Sequence, residues 1–366
     1  MAISPPPFPT GKSLAELCQE IKSVDAKTRE LGPWKSGAFS KLASRGCFAG
    51  WIKKDDGGTE ASENEIMTFL ISIASSCLTT ALALTQWASA VRIISRSSKE
   101  TRSHFLPDLI TGKQFTTVGI SQLTTSRQHL ARPILTAKKT DTGWSLHGKC
   151  PWVTGADSVN TLVTGAVPLN SKESQETPHF FIVKTNSAGI RVDPPMDLLA
   201  LTGSRTSSIE LENVLAEADI TPQSEAGPRT GGLGTTALAI GSTRASLAIL
   251  EQESRRRDLL KPITNEIEKE VSTIEADLFE ATTCGIDTQE RNLLRQRANT
   301  LVTRTSQAAL TASKGAGFVK GHPIERLIRE SMFFLVWSCP QSVAESLLCD
   351  FAGIDSSTDG PSESLS

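Results

Sequence analysis

The sequence contains no tyrosine, which removes one candidate general acid from any active site. It has no close cysteine pair: Cys18, Cys47, Cys77, Cys150, Cys284, Cys339 and Cys349 are scattered, and seven is an odd number. Such a set reads as reduced thiols in a cytoplasmic protein, not as a disulfide frame or a zinc site. The five histidines show no metal spacing. Charge of one sign is missing too. The 38 basic and 40 acidic residues leave a net charge of −2, and no basic stripe with interleaved aromatics suits a nucleic acid. No run is read as long enough to span a membrane, because polar Thr79, Thr80, Gln86 and Arg92 break the longest, Cys77 to Ile94. The first residues lack the charged-then-apolar pattern of an export signal, so nothing is expected to direct export. No glycine cluster joins a strand to a helix in βαβ order, which excludes a Rossmann dinucleotide fold.

What is present falls into a clear order over 366 residues. Residues 1–12 hold four prolines and are expected to form a disordered arm. From 13 to 113 the pattern is helical. Ser13 with Glu16, Ser62 with Glu65 and Ser97 with Glu100 read as capping pairs, and two apolar helices are expected to meet near Ser75 and Ser76. From 114 to 225, short β-branched runs such as "FTTVGIS", "ILTAKK", "GWSLHGKCPWVTG", "VNTLVTGAV", "HFFIVKT" and "SSIELENVLA" predict hairpin strands. From 230 to 353 the helical period returns in four segments with short connections, as in an antiparallel bundle, the last being "IERLIRESMFFLVWS". Residues 354–366 have a disordered composition. The expected fold class is therefore α+β: an N-terminal all-α domain, a central β-barrel-like domain and a C-terminal four-helix bundle.

Four stretches in register, "KETRSHFLPDLITGKQFTTVGISQL", "WSLHGKCPWVTGADSVNTLVTGAV", "LTGSRTSSIELENV" and "ASKGAGFVKGHPIERLIRE", resemble the acyl-CoA dehydrogenase flavoproteins. The resemblance covers about residues 13–352. It implies FAD as cofactor, with Trp152 lining one flavin face, Thr154 donating near N5 and Ser121 at the pyrimidine edge. It also implies that Arg257 reaches the FAD diphosphate of a neighbouring subunit and that the Gly315 turn meets the other end of the cofactor. The assembly implied is a homodimer or homotetramer, with a hetero-oligomer as the alternative. The chemistry of these residues agrees. A flat indole suits an isoalloxazine ring, hydroxyls suit its polar edge, and a guanidinium fork suits phosphate. Read without the family, Trp152 is more readily a core plug than a flavin wall, and Arg257 is equally a cation complementing a helix end.

The sequence departs from the family where catalysis resides. Family members oxidise an acyl-CoA thioester: a Glu removes the α proton while the β hydrogen leaves as hydride to flavin N5. Counting from Arg329, the place of that Glu holds Ser338, followed by Cys339 and Pro340, with Trp337 where a Tyr is usual. A minority of members carry the Glu on the first bundle helix; here that place is Gly231. Glu251 and Glu253 lie further along and read as exposed helix charges. After Ser121 the chain runs Gln122 to Arg127 without the family's phosphate-side glycines. The expectation is a flavoenzyme for an acyl-CoA or similar thioester with an atypical or absent base. A flavin-dependent monooxygenase and a silent subunit of a hetero-oligomer are the alternatives.

Overall fold

A computed structural model describes residues 5–124, 134–169, 177–221, 232–337 and 340–353. It divides into two compact units, residues 1–227 and 228–366.

The first unit begins with helices α1 (Gly11–Thr28), α2 (Gly32–Lys35), α3 (Ala38–Ser44), α4 (Glu63–Ser76), α5 (Leu78–Ile94) and α6 (Lys99–Ile110). Ser62 and Glu65 form the expected capping box on α4. Cys77, in extended conformation, ends α4 and caps α5 through its thiol, close to where the serine pair suggested a break. Two caps fall elsewhere. Helix α1 starts at Gly11, with Ser13 Oγ bound to the Thr10 backbone instead of opening a box with Glu16. Helix α6 is capped by Ser98, one residue beyond Ser97. The proline-rich arm is not loose over its described part. Phe8 packs on Trp51 and Phe69, with ring centroids 5.8 and 5.0 Å away. These rings join Phe39, Phe48 and Trp87 in an aromatic core, and Phe115 carries that core to the first strand.

The sheet follows: β1 (Thr116–Gly119), a one-turn helix α7 (Ser121–Thr124), β2 (Leu135–Thr140), β3 (Gly143–Val153), β4 (Thr161–Pro168), β5 (His179–Lys184), β6 (Ile190–Val192), β7 (Ser207–Leu215) and β8 (Ala218–Asp219). The strand order is β6-β7-β3-β2-β4-β5-β8, with β1 beside β4. β4 pairs in parallel with β1 and β2, and the other pairings are antiparallel. Alternate residues of β3, β4, β5 and β7 point into one apolar core that includes Leu146, Cys150, Val153, Phe181, Ile209 and Val214.

The second unit holds α8 (Leu233–Ser254), α9 (Lys261–Cys284), α10 (Thr288–Gly317), α11 (Pro323–Ser331) and α12 (Gln341–Ala352). Helix α8 is long and apolar enough to cross a membrane, which the reading of apolar runs overlooked. It packs against α9, α10 and α11, and its buried positions are those of a bundle's central helix. Helix α10 breaks at Lys314, whose φ of 53° is left-handed, so the "SKGAG" stretch turns as expected. The last bundle helix is shorter than expected. It ends at Ser331 and continues as a 3-10 turn, Met332–Leu335.

Candidate functional site

In the first unit the observations converge on the C-terminal end of β3. Its pairing with β7 slips between Cys150 and Val153, so Pro151 and Trp152 form an irregular step in the ladder. Proline cannot donate to a ladder, and bulges of this kind re-aim side chains. Cys150 and Val153 are fully buried, whereas Trp152 is 53% exposed. The core-plug alternative for Trp152 is thus excluded: the indole is displayed on the surface.

A set of hydroxyls lies on the strand's continuation. Thr154 is buried with its hydroxyl 3.4 Å from that of Thr206, which in turn lies 2.8 Å from Ser204 Oγ. Gly155 donates its N–H to the Ser204 carbonyl at 2.9 Å. Only glycine fits there. Its φ is +71°, and a Cβ would stand 2.4 Å from the Trp34 ring. The opposing turn is strained, because Leu201 and Arg205 both have left-handed φ, 61° and 48°. An ion pair holds it: Arg205 Nε reaches the Asp157 carboxylate at 2.8 and 2.9 Å, and Lys35 Nζ at 3.3 Å. Burial alone would raise the Asp157 carboxyl, but hydrogen bonds from Arg205, Ser158 and Lys35 and the Arg205 charge overcome it. The result is a pKa of about 2.

Ser121 opens α7 just beyond β1 and is half-buried. The end of β1 abuts the Trp152 segment: a Cβ on Gly119 would lie 3.1 Å from Val153 and 3.6 Å from Cys150. Buried Gln122 ties this corner together. Its amide donates to the carbonyls of Gly119 and Gly165 and to Thr164 Oγ1 at 3.0–3.2 Å. Ser121, Trp152 and Thr154 are therefore carried by neighbouring segments of one sheet corner.

In the second unit, Arg257 does not project outward. Its guanidinium binds Glu253 Oε2 at 2.7 Å and the Ala312 carbonyl, which closes the end of α10 just before Gly315. Glu253, read from the sequence as an exposed charge, is half-buried by this pair. Arg255 and Arg256 are the cations left exposed beside it. Gly315 is exposed, and a Cβ there would meet nothing within 4 Å. Ser338, Cys339 and Gly231 lie outside the described residues, so the two family base positions are seen only through their neighbours.

Those neighbours reveal a residue that the sequence did not single out. Arg295 of α10 is 1% exposed. It donates to Thr235 Oγ1 at 2.7 Å, in the first turn of α8, and to the Trp337 carbonyl at 2.5 Å. Asn299, one turn on, donates to the Phe334 carbonyl at 2.8 Å, and Ser306 bonds Ser331 at 2.9 Å. This polar row explains the early end of α11. Carbonyls near the break find side-chain donors on α10, and the chain tightens into a 3-10 turn. Trp337 stacks on Phe333, with centroids 4.9 Å apart.

The architecture of helices, β domain and helical bundle is that of the acyl-CoA dehydrogenase fold. A solved glutaryl-coenzyme A dehydrogenase complex matches 98% of this chain and 100% of its own, with a TM-score of 0.73 at 16% identity. Dibenzothiophene monooxygenase TdsC from Paenibacillus sp. A11-2 matches 93% and 96% with a TM-score of 0.74 at 15% identity, and TdsC has also been solved with FMN and indole. No family model matches the sequence. Two curated proteins do. A "Probable acyl-CoA dehydrogenase YngJ" of Bacillus subtilis (strain 168) is 21% identical over 343 residues, 86% of this chain and 88% of the relative. A "3-(aryl)acrylate reductase" of Clostridium sporogenes (strain ATCC 15579) is 22% identical over 354 residues, 90% and 93%. The chain thus has the acyl-CoA dehydrogenase fold and is similar over most of its length to a curated probable acyl-CoA dehydrogenase.

Proposed function

We propose that this protein is a FAD-binding oxidoreductase that acts on an acyl-CoA or similar thioester without the family's usual carboxylate base. The observation that carries the reading is the exposed Trp152 indole, lifted from β3 by the Pro151 bulge beside the Thr154, Thr206 and Ser204 hydroxyls. These residues fit an isoalloxazine ring: the indole offers a flat apolar wall, and the hydroxyls and Ser121 offer the polar edge. Bound FAD would supply the acceptor for a hydride leaving the substrate. The protein's part is to orient substrate, exclude water and hold the ring's environment. For an anionic group, the exposed Arg255 and Arg256 are available as cations, while Arg257 is engaged by Glu253 and the Ala312 carbonyl. With Ser338 and Gly231 at the family's two base positions, a substrate whose proton is acidic enough to leave unaided suits this chain. A base from another chain of a homo- or hetero-oligomer is the other source.

The same substitutions favour one second reading, a flavin-dependent monooxygenase, because a chain without the Glu retains the scaffold found in TdsC. Anaerobic mixing of the FAD-loaded chain with acyl-CoA substrates separates the two. Bleaching of the oxidised flavin supports the dehydrogenase. In a parallel aerobic assay, oxygen incorporated into a product only when both the chain and reduced flavin are supplied supports the monooxygenase. A chain that binds flavin in neither redox state overturns both.

A further inference from the structure

Arg295 joins two stretches of chain more than a hundred positions apart. On one side, the Thr235 hydroxyl donates to the Gly232 carbonyl at 2.7 Å and accepts from Arg295 Nη1 at 2.7 Å. On the other side, Arg295 Nη2 donates to the carbonyl of Trp337 at 2.5 Å. Gly232 follows Gly231 and Trp337 precedes Ser338, so the relay runs between the residues flanking the family's two alternative base positions. The Arg295 side chain is 1% exposed and Thr235 9%, so water competes little for these bonds. A guanidinium suits the task because its planar fork presents two separate nitrogens, Nη1 and Nη2, in fixed directions to the two acceptors, whereas an ammonium offers its three donors from a single point. Asn299 holds the Phe334 carbonyl from the same helix, which places the whole 332–337 segment under the control of α10.

We infer that Arg295 is a positioning residue that couples the start of α8 to the turn before Ser338. It thereby sets the mutual placement of the two segments that frame the reaction in this family. The inference deepens the flavoenzyme reading and rests on it for its functional meaning. The coupling itself is a property of the bundle.

The test is amide hydrogen exchange, followed by mass spectrometry on the full-length chain without flavin, for wild type and the variants Thr235→Val, Arg295→Lys and Arg295→Met. Thr235→Val is nearly isosteric and removes only the relay's α8 end. It is expected to raise exchange in residues 332–337 about threefold, although the substitution lies on another helix. Arg295→Lys, which keeps the charge but loses the fork, is expected to raise it about tenfold, and Arg295→Met further. The α9 peptides, residues 261–284, should be unchanged. Unaltered exchange at 332–337 in Thr235→Val, or an equal rise in α9, overturns the inference: Arg295 would then be a local cap or a general stabiliser. Because no flavin is needed, a failure to bind FAD would count against the proposed function and leave this result standing.

Discussion

Asp157→Asn isolates the ion pair that holds the hydroxyl cluster beside Trp152. The substitution keeps the shape of the side chain and removes the charge that Arg205 and Lys35 grip. Lowering a carboxyl from its ordinary 3.8 to about 2 corresponds to about 2.5 kcal/mol of stability if fully expressed. The Asp157 side chain is 23% exposed, and solvent screening brings the expected loss at neutral pH to about 1–2 kcal/mol. The sign follows from the depressed value. The contribution is complete above about pH 4, where the unfolded-state carboxyl is ionised, and disappears as pH falls toward 2 and the native carboxyl takes its proton. The assay is urea unfolding followed by tryptophan fluorescence, which reports mainly the first unit because Trp337 is the sole tryptophan outside it. The difference between wild type and Asp157→Asn should be about 1–2 kcal/mol at neutral pH and shrink steadily below about pH 4. A difference under about 0.3 kcal/mol at neutral pH, or one that persists undiminished near pH 2.5, would refute the assignment of the pair as the anchor of the 201–206 turn.

Gly155→Ala should destabilise the first unit by about 2–4 kcal/mol, since it combines a left-handed φ with a methyl 2.4 Å from Trp34, as read from the thermal midpoint. Trp152→Ala should weaken FAD binding about tenfold in a fluorescence titration, with stability unchanged within about 0.5 kcal/mol because the indole is already half exposed. Arg257→Ala and Arg256→Ala should behave oppositely. The first should lose about 1–2 kcal/mol of stability with the Glu253 and Ala312 contacts and keep its flavin affinity. The second should keep its stability within about 0.5 kcal/mol and lose affinity for FAD.

Much of the architecture was legible in the sequence because it is written in local pattern. The Ser62–Glu65 box, the break near Cys77 and strands β1 to β5 and β7 follow from caps and period alone. Strands β6 and β8 were not seen, since three and two residues are too few to show alternation. The early end of α11 was invisible for a different reason. Asn299 and Arg295 enforce it from 35 and 42 positions away, and nothing in "RESMFFLVWS" signals that its carbonyls have outside donors. The candidate site divides in the same manner. The strand carrying Trp152 and Thr154 could be read from its β-branched run and closing glycine, while their site roles came from the family resemblance alone. The inward turn of Arg257 could not, because its partner carbonyl belongs to a helix 55 positions on. Arg295 hides in the sequence "LLRQRANTLVTRT", where it is one of three arginines that all read as exposed helix charges. Its burial is a tertiary fact.

The central claim is that the Trp152 corner receives a flavin, and the direct measurement is the visible absorbance of the purified chain titrated with FAD. Saturable binding with a shifted, structured flavin band is expected, with a weaker, less shifted band in Trp152→Ala. A wild-type chain that stays colourless after gel filtration with excess FAD, whether oxidised or reduced, would contradict it.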